Sequence, residues 1–582
     1  MRTHAFVAGA ILLLGMACRG RAADETQRLQ SVRKLYEQKK WEEVLREAEG
    51  RPEQPADLDY YAGMAFSRLE RWPEAREAFS RGASKAPQDP RFLTERAGAE
   101  YKLNDFSAAK QDLLRALRLD PGDSYTRGFL GTIYLLEGNL EAALKYWNRL
   151  QRPTLASVEA VPLPKTKKRL LERAVAFSPP GTLEREAYLK TNALLENLQT
   201  FPSWRLELTP SAESPSGESA DDDRAILRLN ERDGWGSSLL DGMVSLLRGL
   251  PYETVYPSYY NVNGDAVNFD SMARWDSEKR RFGASIHFPA FRQPGKGVRI
   301  FFDARNENWN LSRTFLGSSV VSDLNMRRYA GGAELHLVGS GGWDLDVGVE
   351  GISREFRNVP VGLTKSAAQF FTSSTGTDGW LRVHRSLMRV PERRYTLDGS
   401  AELRAGRNYS AGLGAFCGVK GELQSRWLPK ARGDDYEFLV TLRGGDTFGA
   451  VPLDNLYQLG VERDNDLWLR GHPGTLDGRK GRAPLGRRYL LLNTELNKTV
   501  YDGTFFRMQL GPFFDSGAIA DSTGLFGSRQ WLFDAGVQAR IRVLGGVWLV
   551  LSYGRDLRGG TGTFYGTTHG GTYGNTYGAT LH

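Results

Sequence analysis

Cysteine is almost missing from this chain: 582 residues carry two, Cys18 and Cys417. Cys18 lies in an apolar leader, so removal of the leader leaves Cys417 alone. That excludes a disulfide or a multi-cysteine metal site within the mature chain. Long apolar runs are also missing. After the leader nothing approaches the roughly 18 apolar residues of a transmembrane helix, which excludes a helical membrane protein. A β-barrel is not excluded, because its strands show apolar residues only at alternate positions. No long basic block occurs either. The net charge of +8 is spread along the chain and reads as solvated surface, with no nucleic-acid partner. Catalytic patterns are absent too, with no Gly-x-Ser-x-Gly elbow and no His-Glu-x-x-His helix. The glycines of Gly560-Thr561-Gly562-Thr563-Phe564-Tyr565-Gly566 have no βα unit around them. The expectation is no enzyme, no cofactor and no metal. The Asp221-Asp222-Asp223 run lies in a polar segment without histidine and reads as linker.

The leader has the form of a signal peptide over residues 1–22. Arg2 is followed by an apolar run from Ala5 to Ala17, then Gly20-Arg21-Ala22, with cleavage expected after Ala22. Gly15 stands where a lipoprotein signal built on Cys18 has an aliphatic residue.

A 34-residue period occupies residues 23–157. Gly63, Ala97 and Gly131 are spaced by it, as are Ala75, Ala109 and Ala143, with large residues at Phe79, Leu113 and Trp147 and prolines at Pro87 and Pro121. Small residues where paired helices cross and a large one four positions on resemble tetratricopeptide repeats. This predicts an α-solenoid that either presents a concave peptide-binding face or serves as a spacer. From 158 to 250 the pattern loosens into a helical and short-strand linker region. A helix is expected over 182–200, with strands at Trp204–Leu208 and Ala225–Leu229.

From 251 to 582 the period is 2. On one segment Phe533, Ala535, Val537, Ala539 and Ile541 share a face, and Asp534, Gln538, Arg540 and Arg542 share the other. Alternation alone fits a two-sheet sandwich as well as a barrel. The export leader, strands of about ten residues and aromatics near strand ends (Tyr256, Tyr259, Tyr260, Trp275, Trp309, Trp343, Trp380, Trp531) favour an antiparallel transmembrane barrel of sixteen strands in the outer membrane. Its termini and the repeats would then face the periplasm, and Cys417 is expected to be packed. The last strand falls at Thr563–Thr567 or in the Gly/Tyr-rich tail.

Two motifs narrow this further: Leu469-Arg470-Gly471-His472 in a polar loop, and Phe513-Phe514-Asp515-Ser516-Gly517 ending a strand. By strand parity Asp515 and Glu495 both point to the polar, lumenal face. The pair resembles the hallmark of the outer-membrane insertase and translocase superfamily, the bacterial surface antigen (BamA- and TamA-like) barrels. The resemblance covers residues 456–557 and implies a long loop folded into the lumen, with Arg470 and Gly471 locked against Glu495, Asp515 and Gly517. His472 is expected to act only as the aromatic-like residue of the motif. The resemblance implies outer-membrane lipid around the barrel, and a polypeptide client or periplasmic protein partner for the repeats. Tetratricopeptide repeats stand where that family carries POTRA modules. An exopolysaccharide export porin, which also couples such repeats to a barrel, is the alternative.

Overall fold

Small residues at fixed intervals decide how the first helices pack. The computed structural model describes residues 24–48, 54–210, 222–410, 414–430, 433, 435–503, 505–528, 530–544 and 547–570. The leader, Cys18 and Asp221 lie outside them. The chain divides into two compact units, Met1–Arg152 and Pro153–His582.

The first unit is a row of helix pairs: α1 (24–37) and α2 (Trp41–Ala48), α3 (Ala56–Arg68) and α4 (Trp72–Lys85), α5 (Pro90–Lys102) and α6 (Phe106–Leu119), α7 (Ser124–Leu136) and α8 (Leu140–Trp147). Gly63 gives the clearance for its partner helix, since a methyl group there would come 2.5 Å from the Phe79 ring. Gly131 faces Trp147 in the same way two periods later, and Ala75, Ala109 and Ala143 are fully buried. Asp89, Asp105, Asp123 and Asn139 cap the helices that follow them, satisfying backbone donors that would otherwise lack partners.

The second unit opens on a layer that the sequence pattern suggested was a linker. It is folded: β1 (Thr154–Val161), α9 (Lys168–Ala174), β2 (Gly181–Thr182), α10 (Arg185–Asn197), β3 (Ser203–Pro210) and β4 (Asp222–Asn230) form a sheet of order β2-β1-β4-β3. In it β1 runs parallel to β4 and β3 antiparallel to it. Leu170, Leu194, Leu195, Leu198, Phe201 and Leu227 make its core. This layer is tied to the strands that follow. Asn197 Nδ2 donates to the Pro294 carbonyl at 2.6 Å, and Asn268 Nδ2 to the Leu198 carbonyl at 2.8 Å. The expected strands fall within β3 and β4, and the expected helix is α10. After helix α11 (Leu239–Leu247) the barrel begins.

Its wall starts with two short segments, β5 (Thr254–Val255) and β6 (Ser258–Tyr259), both paired with β7 (Asn268–Arg274). Antiparallel neighbours follow: β8 (Lys279–Pro289), β9 (Lys296–Trp309), β10 (Leu324–Val338), β11 (Trp343–Arg357), β12 (Ser374–Val390), β13 (Tyr395–Asn408), β14 (Ala415–Trp427) and β15 (Tyr436–Gly449). A long loop carries the dipeptide strands β16 (Tyr457–Gln458), β17 (Thr475–Leu476), β18 (Arg479–Lys480) and β19 (Leu485–Gly486). The wall resumes with β20 (Arg488–Asp502), paired to β15, then β21 (Phe506–Ala520), β22 (Leu532–Val543), β23 (Val547–Asp556) and β24 (Gly562–Gly570). The sheet closes into a barrel. Among the described residues the wall has nine continuous strands before the loop and five after it, with β5 and β6 as a broken strand at its start. Residues 571–582, where the sequence leaves room for a further strand, lie outside the described residues. Residues 563–567 lie in β24.

Burial decides between sandwich and barrel. On β22 Val537 is 60% exposed and Arg540 1%. On β11 Val349 is 57% exposed, and the next residue, Glu350, 6%. The apolar face is outside and the charged face inside. That is the inverse of a water-soluble sandwich and the pattern of a wall surrounded by hydrocarbon. No helix among the described residues is long and apolar enough to cross a membrane.

Three expectations change. Cys417 is exposed on the outward face, because period-2 alternation gives the inward position to its neighbour Phe416. Trp309 is no rim residue: it is buried in an apolar cluster with Leu311, Phe315 and Leu453. Trp380 leaves the rim as well, donating its indole N–H to Glu334 at 2.9 Å.

Candidate functional site

The loop joining β15 to β20, residues 450–487, is buried along much of its length. Val451, Leu453, Leu459 and Leu469 are fully enclosed, and so are the charged residues Glu462 and Arg470. Enclosed charges persist only where partners replace water, and the wall supplies them at three places.

The first is Arg470. Its Nε and Nη2 donate to the two oxygens of Asp515 at 2.8 and 2.6 Å. Nη1 donates to Glu495 at 2.7 Å and Gln538 at 2.9 Å. Its backbone N–H donates to Asp515 as well, at 3.1 Å. The planar guanidinium fork matches a carboxylate in this bidentate mode, which a lysine does not. Period 2 explains the platform beneath it. Phe513 shares the inward face with Asp515, and the guanidinium lies 3.7 Å from its ring centroid. Neighbours hold the acids. Asn493 donates to Asp515 at 2.8 Å, Gln538 donates to Glu495 at 2.9 Å, and Arg540 lies 2.9 Å from the same Glu495 oxygen.

Gly471 follows because no side chain fits. A methyl group there would lie 2.5 Å from the Asp556 backbone nitrogen and 2.7 Å from the Asp534 carboxylate. Its N–H donates to Asp534 at 2.5 Å, and its carbonyl accepts from the Thr563 hydroxyl at 2.9 Å. Gly517 has another part: it leaves clearance on the wall under Leu459 and Leu469, which a methyl group would approach to 3.1 and 3.3 Å.

His472 does more than the aromatic role expected of it. Its Nδ1 lies 3.0 Å from Asp534 and its Nε2 3.7 Å from Asp556. These three side chains are a group among the described residues whose ligand atoms converge as a metal site requires. Each ring nitrogen faces a different carboxylate, however, which suits a clasp by a doubly protonated imidazole better than one nitrogen aimed at a shared ion.

The other two anchors were not legible beforehand. Arg274, Arg281, Arg305, Arg328 and Arg354 stand directly opposite one another across β7, β8, β9, β10 and β11. Like charges in register repel, so the row needs anions between its members. Asp303 of β9 provides one, at 2.7 Å from Arg281 and 2.5 Å from Arg305. Glu350 of β11 provides another, 3.4 Å from Arg328, and the loop provides two more. Asp464 receives Arg274 at 2.8 Å and Arg281 at 2.6 Å, and Asp454 receives Arg328 at 3.1 Å and Arg354 at 2.7 Å. Beside them Glu462 pairs with Lys279 at 3.2 Å and Lys480 with Glu307 at 2.7 Å. The only advance signal was an arginine at an inward position of each strand, and it becomes a row only once the registers are known.

Between these anchors the loop passes the join of the last and first wall segments among the described residues. Arg463 donates to the Tyr252 carbonyl at 3.0 Å, just before β5. Trp468 meets the ring of Tyr565 in β24 edge-on, with centroids 5.7 Å apart.

No family model matches the chain. Among curated proteins, U-box domain-containing protein 70 of Oryza sativa subsp. japonica is 28% identical over 117 residues, covering 20% of this chain and 14% of that protein. Solved structures similar to it include BamA from Haemophilus ducreyi lacking POTRA domains 1-3, at 13% identity over 72% of this chain and 85% of that one, with a TM-score of 0.41. CdiB from Escherichia coli is similar at 12% identity over 72% of this chain and 75% of that one, with a TM-score of 0.44. CdiB from Acinetobacter baumannii is similar at 13% identity over 81% of this chain and 87% of that one, with a TM-score of 0.42. The barrel itself stands on its own ladders and burial pattern.

Proposed function

We propose that this chain is an outer-membrane protein that assists the translocation or membrane insertion of polypeptides, with its helical repeats in the periplasm recruiting a client or a partner protein. One observation carries the reading: loop 450–487 occupies the lumen and is bonded to the wall on both sides of the join between β24 and β5. A pore for continuous export of a polar polymer works best with a free lumen. A plug held by the strands on either side of the join suits a barrel whose task depends on movement of the wall. Arg470, Gly471, Glu495 and Asp515 serve as the lock, and Gly517 gives the loop room to seat. The layer β1–β4 stands in the chain between repeats and barrel, and we read it as the counterpart of the POTRA modules of surface-antigen barrels. The repeats are then an addition to that module rather than a replacement for it.

Depletion of the protein in its own bacterium tests this. Loss of a set of surface or outer-membrane polypeptides, with glycan export intact, is the expected result. Loss of exported glycan with those polypeptides unchanged would overturn it.

A further inference from the structure

Helix α11 turns its polar side inward. Asp241 and Ser245, one turn apart, are buried, and Asp241 accepts from the Ser237 N–H at 3.0 Å and from its hydroxyl at 2.9 Å. On the opposite side Leu239 is 78% and Leu240 61% exposed, and Met243 and Leu247 are open as well. A helix bathed in water does the reverse. The same inversion marks the barrel wall, and the two outward surfaces are continuous. Trp235, just before the helix, meets the ring of Tyr259 edge-on at 5.6 Å. Tyr259 stands opposite Phe269, Phe269 opposite Ile286 and Ile286 opposite Ile300, one outward apolar row running from β6 to β9. At its far end the helix reaches the last strand, where the Thr568 hydroxyl donates to the Arg248 carbonyl at 3.1 Å. The Arg248 guanidinium is held over the Tyr256 ring at 4.0 Å. Helix α11 therefore stands at the join, between β24 and the broken strand β5–β6.

We propose that the outward face of α11 is a lipid-binding surface: bilayer acyl chains cover Leu239, Leu240, Met243 and Leu247, and the helix completes the hydrocarbon-facing wall where the first strand is broken. Polar side chains packed inward and leucines presented outward leave no aqueous use for this face, and its continuity with the Tyr259–Phe269–Ile286 row places it in the same solvent as the strands. The inference rests on the membrane-barrel part of the function proposed above and not on what the barrel carries.

The test uses the full chain with Cys18 and Cys417 replaced by serine. Single cysteines are introduced as Met243→Cys, Leu247→Cys or Val537→Cys and labelled with an environment-sensitive nitrobenzoxadiazole. Each protein is folded into phosphatidylcholine vesicles with or without doxyl-labelled lipid, and heat-modifiable mobility selects the folded fraction. The labels at 243 and 247 are expected to be quenched about twofold by doxyl lipid, as is the label on the wall at 537. Quenching at 537 with none at 243 and 247 would overturn the inference, whether water, a second copy or a client covers the helix. No quenching at any of the three would remove the membrane barrel itself, and this inference with it.

Discussion

The two sides of the barrel hold the same loop with opposite charges. From β20 to β22 the wall offers carboxylates, and the loop brings Arg470, held by Asp515, Glu495 and Gln538, with the His472 imidazole against Asp534 beside it. From β7 to β11 the wall offers a row of five arginines and the loop brings the acids Asp454 and Asp464. The first contact is a single planar fork whose geometry admits no substitute. The second is a shared neutralisation in which Asp303 also takes part. A loop carrying Arg470 apart from Asp454 and Asp464 has one seating in this lumen. Turning it over would set Arg470 against arginines and Asp464 against Asp515.

That asymmetry sets the order of the expected effects. Arg470→Ala leaves Asp515 and part of Glu495 enclosed without their cation and should destabilise the folded barrel by about 3–5 kcal/mol, read as a shift of the urea midpoint in lipid vesicles. Asp464→Ala removes one anion from a row that retains Asp303, so a smaller loss of about 2–3 kcal/mol is expected. An equal or larger loss would erase the distinction between a unique fork and a shared counterion. Combining the two substitutions asks whether the anchors act through one strap. If they do, the double variant departs from additivity by about 1 kcal/mol, and strict additivity would mean that the loop segments seat independently.

The repeat unit provides the contrast case, an enclosed acid without such a partner set. One carboxylate oxygen of Glu100 has no hydrogen bond, and burial, with Asp112 adding to it, pushes its pKa from the usual 4.5 up to about 7. The native state then binds more protons than the unfolded state between these values. The contribution of Glu100 to the stability of the repeats is full below about pH 4.5 and is lost as pH rises through about 7. Glu100→Gln should flatten that slope and raise stability above pH 7 by about 1 kcal/mol, less than either loop substitution costs. Thermal melts of the repeat unit across pH check it.

How much of this was legible beforehand depended on range. Asp515 and Glu495 could be placed in the lumen because strand parity is local, and Arg470 because its motif resembles that of the surface-antigen barrels, a resemblance that implies a loop folded into the lumen. The 34-residue spacing of Gly63, Ala97 and Gly131 declared the helix pairs for the same reason: Gly63 and Gly131 face the rings of Phe79 and Trp147, each four positions past the next small residue of its pair. The arginine row was not legible. Its members lie on five strands, and only the lengths of the intervening turns bring Arg274, Arg281, Arg305, Arg328 and Arg354 opposite one another. Asp454, Glu462 and Asp464 carry no local signal that separates them from ordinary loop acids, since their partners lie on strands far away in the chain. The layer β1–β4 was half-visible, because its strands are short and β1 pairs with β4 across two helices, a non-local parallel contact that no short-range pattern records. Helix α11 has a run, Leu-Leu-Asp-Gly-Met-Val-Ser-Leu-Leu, whose inverted amphipathicity has meaning only beside a wall that is also inverted.

The central claim is that the loop is locked in the lumen from both sides, and single-channel recording in planar bilayers tests it most directly. The native chain should give low, flickering conductance, and the chain carrying Arg470→Ala together with Asp464→Ala should open to a larger, steady one. A steady open conductance in the native chain, or a double variant no different from it, would contradict the lock.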